Sequence, residues 1–416
     1  MNDDRRPAGA DLAAAATYLR STAAIRERTG NILAAVRAGR SNHFRVVELR
    51  LDPAAERVVA VTRSRYPDGR IPYHSRWRQF EAGGIDRYPS LLAALGTGDP
   101  AERARCEIDL AVVSVLLDAG AGPDWSYGEA GSGQHLTRSE GLGVASFHAF
   151  VAGMFSGDAG RPARADAAGL ARITDRAIET AFQVSPTNPL IGVAGRAQLL
   201  QRLGRALQAQ PALFGAQARP GGVFDVLTGN GQRTSIAAGD LLESLLVGLA
   251  PIWPAENRLG EHLLGDTWPH RLAGGSGPSA GRVPLHKLSQ WLTYSLLEPF
   301  ERAGVTVTGL NDLTALAEYR NGGLLLDTGV IEALDPGLAR TPLPASSEPI
   351  IEWRALTVAL LDALAERVRD RMGTDATGMP LAKILEGGTW AAGRVLANER
   401  RNGAPPLNIV SDGTVF

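Results

Sequence analysis

Four side chains between His286 and Tyr294 pose the first chemical question. On a helix, Lys287, Gln290, Trp291 and Tyr294 fall at i, i+3, i+4 and i+7 and share one face. That face combines an ammonium, an amide and two aromatic rings. A solvated face rarely spends Trp and Tyr in this way, and a core stripe has no use for Lys. A pocket wall accounts for the mixture: the rings stack on a flat or apolar surface, and the ammonium meets an anion. A half-buried Lys that lays its stem across the rings is the plainer alternative. Lysine is scarce in this chain: of 43 basic residues, only Lys287 and Lys383 are lysine. An ammonium is a compact point charge, whereas a guanidinium is a broad planar fork.

Three further constellations carry chemistry. Glu318 and Arg320 lie two apart, just before Asn321-Gly322-Gly323, and Asp327 follows. A Gly pair there either lets a backbone approach closely or caps a salt-bridged helix end. His74, Arg76, Trp77 and Arg78 crowd one short stretch. Two arginines with a histidine clamp a phosphate or carboxylate, or else build an ion-pair network. Asp118, Asp124, Trp125 and Tyr127 sit on a Gly-rich turn, which favours binding, although one buried Trp can also pin a turn. Glu386-Gly387-Gly388 interrupts a helical pattern at about 1 kcal/mol per glycine relative to Ala, so a neighbouring helix or a ligand must come close.

Other chemistries are disfavoured. The seven histidines show no metal-ligand spacing, and the lone Cys106 permits neither an internal disulfide nor a cysteine metal cluster. No metal and no cofactor are expected. Neither phosphate-cradling glycine motif is present. Gly277-Pro278-Ser279-Ala280-Gly281 has the letters of a nucleophile elbow but lacks the strand before it and the helix after it. A net charge of -1 argues against nucleic acid or an anionic membrane as the main partner. The N-terminus lacks the pattern of a secretory signal, so a cytoplasmic protein is expected.

The elements that must position these residues read as about ten helices with few strands, a mainly α chain. Helices are expected over Asp11–Arg37, Cys106–Leu117, Pro284–Ala303, Trp353–Met372 and Pro380–Arg400, with a capping box at Thr137-Arg138-Ser139-Glu140. A short helix capped by Asn311 or Asp312 is expected to stop at Asn321-Gly322-Gly323. Asn408–Phe416 reads as extended. Residues 1–416 are read as a single mainly helical domain with two lobes, 1–156 and 167–416.

The segments Ile71–Glu81, Ser114–Trp125, Ser139–Phe147, His286–Glu298, Glu318–Asp327, Glu386–Gly393 and Ser411–Phe416 together resemble one family, that of the fungal uracil-catabolism protein 4 and its bacterial relatives. The resemblance covers nearly the whole chain. It implies a role in a pathway that converts uracil to UMP, opens the pyrimidine ring and releases urea. It also implies a partner resembling GTP cyclohydrolase II, to which ring opening is assigned. A more distant resemblance is to the queuosine-salvage nucleotide N-glycosylases, carried by Leu285–Gln290, Leu313–Arg320 and Ile351–Arg354. It implies a large all-helical unit like the helix-hairpin-helix DNA glycosylases, and hydrolysis of a 5′-monophosphate nucleotide. Glu318 stands where those enzymes carry an aspartate.

Together these resemblances imply an N-glycosyl hydrolase acting on a ribosylurea-type compound derived from a ribonucleotide. Glu318 would stabilise positive charge on the sugar or orient water. Asp118, Asp327 or a bound water would protonate the leaving group. Lys287 and Arg320 would hold phosphate or ribose hydroxyls, with Arg76 and Arg78 in reserve, His74 and Arg354 beside the substrate, and Trp291 and Trp125 as walls. The alternatives are a non-catalytic protein that binds a nucleotide intermediate, and an amidohydrolase cutting the ureido bond.

Overall fold

The computed structural model describes residues 9–96, 98–118, 120–253 and 257–410. The terminal motif Ser411–Phe416 and the N-terminal residues 1–8 lie outside the described residues. The chain is mainly α, as its periodicity predicts. Among the described residues every sheet is a pair of strands, none longer than four residues. No described helix is long and apolar enough to cross a membrane.

The chain divides into two units interleaved in sequence. Among the described residues, the first comprises 9–74, 257–290 and 309–410, and the second comprises those within 75–253 and 291–308. Residues 157–166, the expected link between lobes, lie inside the second unit.

The first unit is built on the helix Glu348–Met372, against which Thr22–Arg37 and Leu51–Arg65 pack. Its inward face is Ile350, Ile351, Trp353, Leu356, Leu360, Leu361 and Leu364, all essentially buried. The antiparallel pair Phe44–Val46 with Ile331–Ala333 closes one side, matching Phe44 to Ala333 and Val46 to Ile331. The second unit is centred on Pro100–Leu116, which is buried nearly all round. Within it Asp109 and Arg219 form an ion pair 2.7 Å long with both side chains essentially inaccessible.

Several local expectations change. The first long helix is two, Gly9–Leu19 and Thr22–Arg37, because Ser21 turns extended and accepts the Ala24 N–H at 3.1 Å, capping a new helix. Thr137 does cap Arg138–Val151, but without the side-chain bond of a capping box.

The most consequential change concerns Asn321-Gly322-Gly323. These residues do not end a helix; they lie inside Tyr319–Asp327, which begins after Glu318. The glycines serve close approach. A Cβ at Gly322 would sit 2.7 Å from the Trp353 indole and 2.8 Å from Thr357 Oγ1. Gly322→Ala is therefore expected to destabilise the first unit by about 1–3 kcal/mol through overpacking. A shift in urea midpoint at constant slope measures it, and an unchanged midpoint would show that the indole can move aside.

Candidate active site

Glu318 is held by the way its own helix begins. Its backbone is extended, with φ -120° and ψ 161°, and its carboxylate folds back to accept N–H groups from Arg320, at 2.8 Å, and Asn321. Glutamate is not a usual residue at this position, where Ser, Thr, Asp and Asn prevail. The two bonds use one acceptor position on each oxygen, and a carboxylate offers about four. The helix start favours an anion, yet burial dominates. Only 8% of Glu318 is exposed. Burial pushes its pKa above the ordinary value, outweighing the backbone N–H bonds and the charges of Lys287 and His74. Lys287 and His74 are thus near enough to act on this carboxyl.

Lys287 begins the helix Lys287–Arg302. Its N–H donates to Asp266 Oδ2 at 3.0 Å. Asp266 also receives both terminal nitrogens of Arg354, at 2.9 and 2.7 Å, and the Trp268 indole N–H at 2.6 Å. Burial pushes the Asp266 carboxyl up, but Arg354 and these donors outweigh it and hold it below the ordinary aspartate value. Arg354 Nε reaches on to the carbonyl of Ala317, 3.2 Å away and one residue before Glu318. An unbroken polar chain thus runs from the Lys287 backbone through Asp266 and Arg354 to the backbone beside Glu318. His286, immediately before Lys287, has φ +45°, a left-handed backbone that a non-glycine residue seldom adopts. Its ring nitrogen Nε2 lies 2.9 Å from the Leu19 carbonyl.

The third group is a dyad. His74 Nδ1 lies 2.8 Å from Glu386 Oε2, and both residues are buried. Glu386 Oε1 accepts from Arg65 at 2.8 Å and from the Tyr66 hydroxyl at 3.0 Å. Burial raises the Glu386 carboxyl, but His74 and Arg65 overcome it, so its pKa falls below the ordinary value. Glu386 sits in one turn of π-helix, Leu385–Thr389, a form often found at functional sites. The close neighbour implied by its glycines is a helix: a Cβ at Gly388 would lie 2.5 Å from Val58 and Thr62 side-chain atoms.

Three buried polar atoms on these same segments have no hydrogen-bond partner: Gln290 Nε2, Asn321 Oδ1 and Thr389 Oγ1. Buried polar atoms are nearly always bonded, so each is a ready contact for a polar ligand.

The other expected site residues are distributed as follows. Arg354 supports the site and is committed to Asp266. Arg320 donates to the Gly403 carbonyl at 3.0 Å, its guanidinium 4.7 Å from the Tyr319 ring centre. Asp327 binds Arg401 through both oxygens, at 2.8 and 2.6 Å. It ends the helix that Glu318 starts, about 13 Å further along at 1.5 Å per residue.

In the second unit, Arg76 bonds Asp118 and Ser114, each at 2.7 Å, and lies 5.7 Å from the Trp291 ring centre. Asp118 also accepts the Ser139 hydroxyl. Arg78 pairs with Glu298 at 2.8 Å. Trp125 is wholly buried, its N–H on the Phe182 carbonyl. The first unit therefore gathers Glu318, Lys287 and His74, while Asp118, Arg76, Arg78, Trp125 and Trp291 belong to the second. Asp266 and the role of Glu386 escaped the sequence reading. Glu386 left a trace in its paired glycines; Asp266, in an unremarkable loop, left none.

From residue 18 to residue 416 the chain matches the family described as "Protein of unknown function (DUF1688)". It belongs to that family. Two fungal relatives are similar over most of their length. "Uracil catabolism protein 4" of Lachancea kluyveri is 37% identical over 435 residues, which covers 96% of this chain and 98% of that protein. "Protein urg3" of Schizosaccharomyces pombe is 37% identical over 376 residues, covering 88% and 90% respectively. The family resemblance carried by the short motifs is thereby borne out.

Proposed function

We propose that this member of the DUF1688 family is an N-glycosyl hydrolase of uracil catabolism that cuts ribose, or ribose 5-phosphate, from a ring-opened uracil nucleotide of the ribosylurea type. The name of the Lachancea kluyveri relative supports the pathway. One observation carries the reaction: the polar chain through Asp266 and Arg354 ties the start of the Lys287 helix to the backbone beside Glu318. This supports a reading in which the Lys287 ammonium and the buried Glu318 carboxylate serve one site.

In this reading the bond between C1′ and the ureido nitrogen breaks with its electron pair leaving on nitrogen. A urea anion leaves poorly, so a proton must arrive with it. The His74 ring, oriented through Nδ1 by Glu386, supplies that proton in its imidazolium form. Asp327, bound to Arg401 at the far end of the Glu318 helix, is set aside for this role. Water adds to C1′ and gives up a proton, completing ribose and urea. Glu318 stands at the sugar as carboxylate, where it offsets the positive charge that develops on C1′ and the ring oxygen. Lys287 meets the phosphate or a ribose hydroxyl.

The direct experiment is to incubate the full chain with ribosylurea 5′-phosphate, the compound left when the three-carbon fragment of ring-opened UMP has departed, and to analyse the products. Free urea and ribose 5-phosphate in equal amounts are expected. Ammonia or carbamate would move the cut to the ureido bond, and tight binding without turnover would make the chain a binding protein.

A further inference from the structure

We infer that the first unit also carries a structural site for one divalent cation of the zinc class, formed by His43, His270, Glu348 and Glu352. The four residues come from three distant stretches. Glu348 and Glu352 are one turn apart at the start of Glu348–Met372, on one face. His270 follows the strand Thr267–Pro269, and His43 precedes the strand Phe44–Val46. One ligand atom from each of His270, Glu348 and Glu352 falls within a sphere of contact no wider than 4.8 Å between any two. His270 Nε2 lies 3.4 Å from Glu352 Oε2 and 3.9 Å from Glu348 Oε1, and His43 Nε2 lies 4.0 Å from Glu348 Oε2. Two donors on a tetrahedral zinc ion are about 3.3 Å apart, given bonds of about 2.0–2.1 Å. The His270–Glu352 pair already has that spacing; the His270–Glu348 and His43–Glu348 distances, which run to different Glu348 oxygens, must contract by about 0.6 and 0.7 Å.

The unanswered atoms point to an ion. His270 is 4% exposed and Glu352 is wholly buried. Yet His270 Nε2 and Glu352 Oε2 have no hydrogen-bond partner, and neither does the buried His43 Nε2. A buried carboxylate oxygen left so is costly, and a cation would answer all three atoms at once.

The surroundings fix the donors. The Ser41 hydroxyl donates to the other Glu352 oxygen and accepts the N–H groups of His43 and Phe44, at 2.9 and 3.0 Å. Arg271 Nε donates to Glu348 Oε1 at 2.8 Å, which leaves Oε2 toward His43. The Leu272 N–H donates to His270 Nδ1 at 3.2 Å, so the neutral ring carries its proton on Nε2. Loading the ion moves that proton to Nδ1, which breaks the Leu272 hydrogen bond and requires the ring or that backbone to turn so that the two N–H groups no longer face each other. Imidazole with carboxylate suits zinc and its neighbours rather than calcium or magnesium. The ion's place is structural: it would pin the loop after Thr267–Pro269 to the helix that carries Arg354, two residues beyond Glu352.

The test strips the full chain with a chelator and titrates it with zinc chloride by calorimetry, then with cobalt chloride by visible absorption. One ion per chain is expected, with a rise in melting temperature and cobalt bands of nitrogen and oxygen coordination. Glu348→Ala, at a partly exposed position, and His43→Asn should each weaken binding by about 10-fold or more. His262→Ala, outside the cluster, should bind as the parent does. Absence of stoichiometric zinc binding at micromolar concentration, or equal binding by Glu348→Ala and His43→Asn, overturns the site.

Discussion

Glu318→Gln is expected to lower kcat by about 10²–10³-fold or more, the cost of losing one charge aimed at the developing transition state. Binding of the ring-opened nucleotide should survive, because the amide oxygen still accepts a backbone N–H at the helix start. Stability separates this loss from misfolding. The Glu318 pKa is raised in the folded protein, chiefly by burial. A carboxyl raised in this way favours folding at low pH and loses that contribution as pH climbs from the ordinary value of 4.5 through the folded value. At neutral pH the parent bears the cost of a buried charge that the amide lacks, so the variant should melt no lower than the parent. The same sign governs activity. Turnover requires the carboxylate, so kcat/KM of the parent should rise with pH along a limb lying above 4.5, and the residual activity of the variant should lack that limb. A variant that turns over normally would remove Glu318 from the chemistry.

Asp266→Ala should be the most damaging single change to the first unit, at about 3–5 kcal/mol. It strands the Arg354 guanidinium, 2% exposed, without its partner. It also frees the Lys287 N–H and the Trp268 indole. Because the Asp266 carboxyl is held below its ordinary value of 3.8, its stabilising effect is complete above that pH and fades as pH falls through the folded value. The parent should therefore lose stability in acid along a branch that the variant does not share. Chemical denaturation at several pH values measures both effects, and a loss under about 1 kcal/mol would show that Arg354 finds another anion.

The legibility of this molecule from its sequence differs between fold and site. Periodicity located the helices Lys287–Arg302 and Glu348–Met372, since a long apolar face has few other uses, although it set the start of the second at Trp353, one turn and more too late. The Glu318 segment misled because Asn-Gly-Gly is ordinarily a stop, and nothing local reveals that Trp353 will lie against Gly322. Lys287 was legible through its rarity and its aromatic neighbours, and His74 through its crowded stretch. Asp266 was not, because its importance arises from Arg354, 88 positions away. Glu348 and Glu352 are four apart on one helix, but nothing in their spacing links them to His43 or His270; only the folded chain brings the four into register. Arg76 enters an ion-pair network, one of the two readings its stretch allowed, but its partner Asp118, with Ser114 and Ser139 beside them, was not legible from either segment.

The π-turn at Leu385–Thr389 works as a phase shifter. One residue more than an α-turn needs rotates all that follows by roughly 100° about the helix axis. In the shifted register Trp390 presents its ring 5.8 Å from that of His74, and Gly393 meets the Arg320 carbonyl so closely that a Cβ would lie 2.0 Å from it. A single inserted position thus tunes two distant surfaces of one helix simultaneously, the aromatic backing of His74 and the seat of the segment that begins with Glu318.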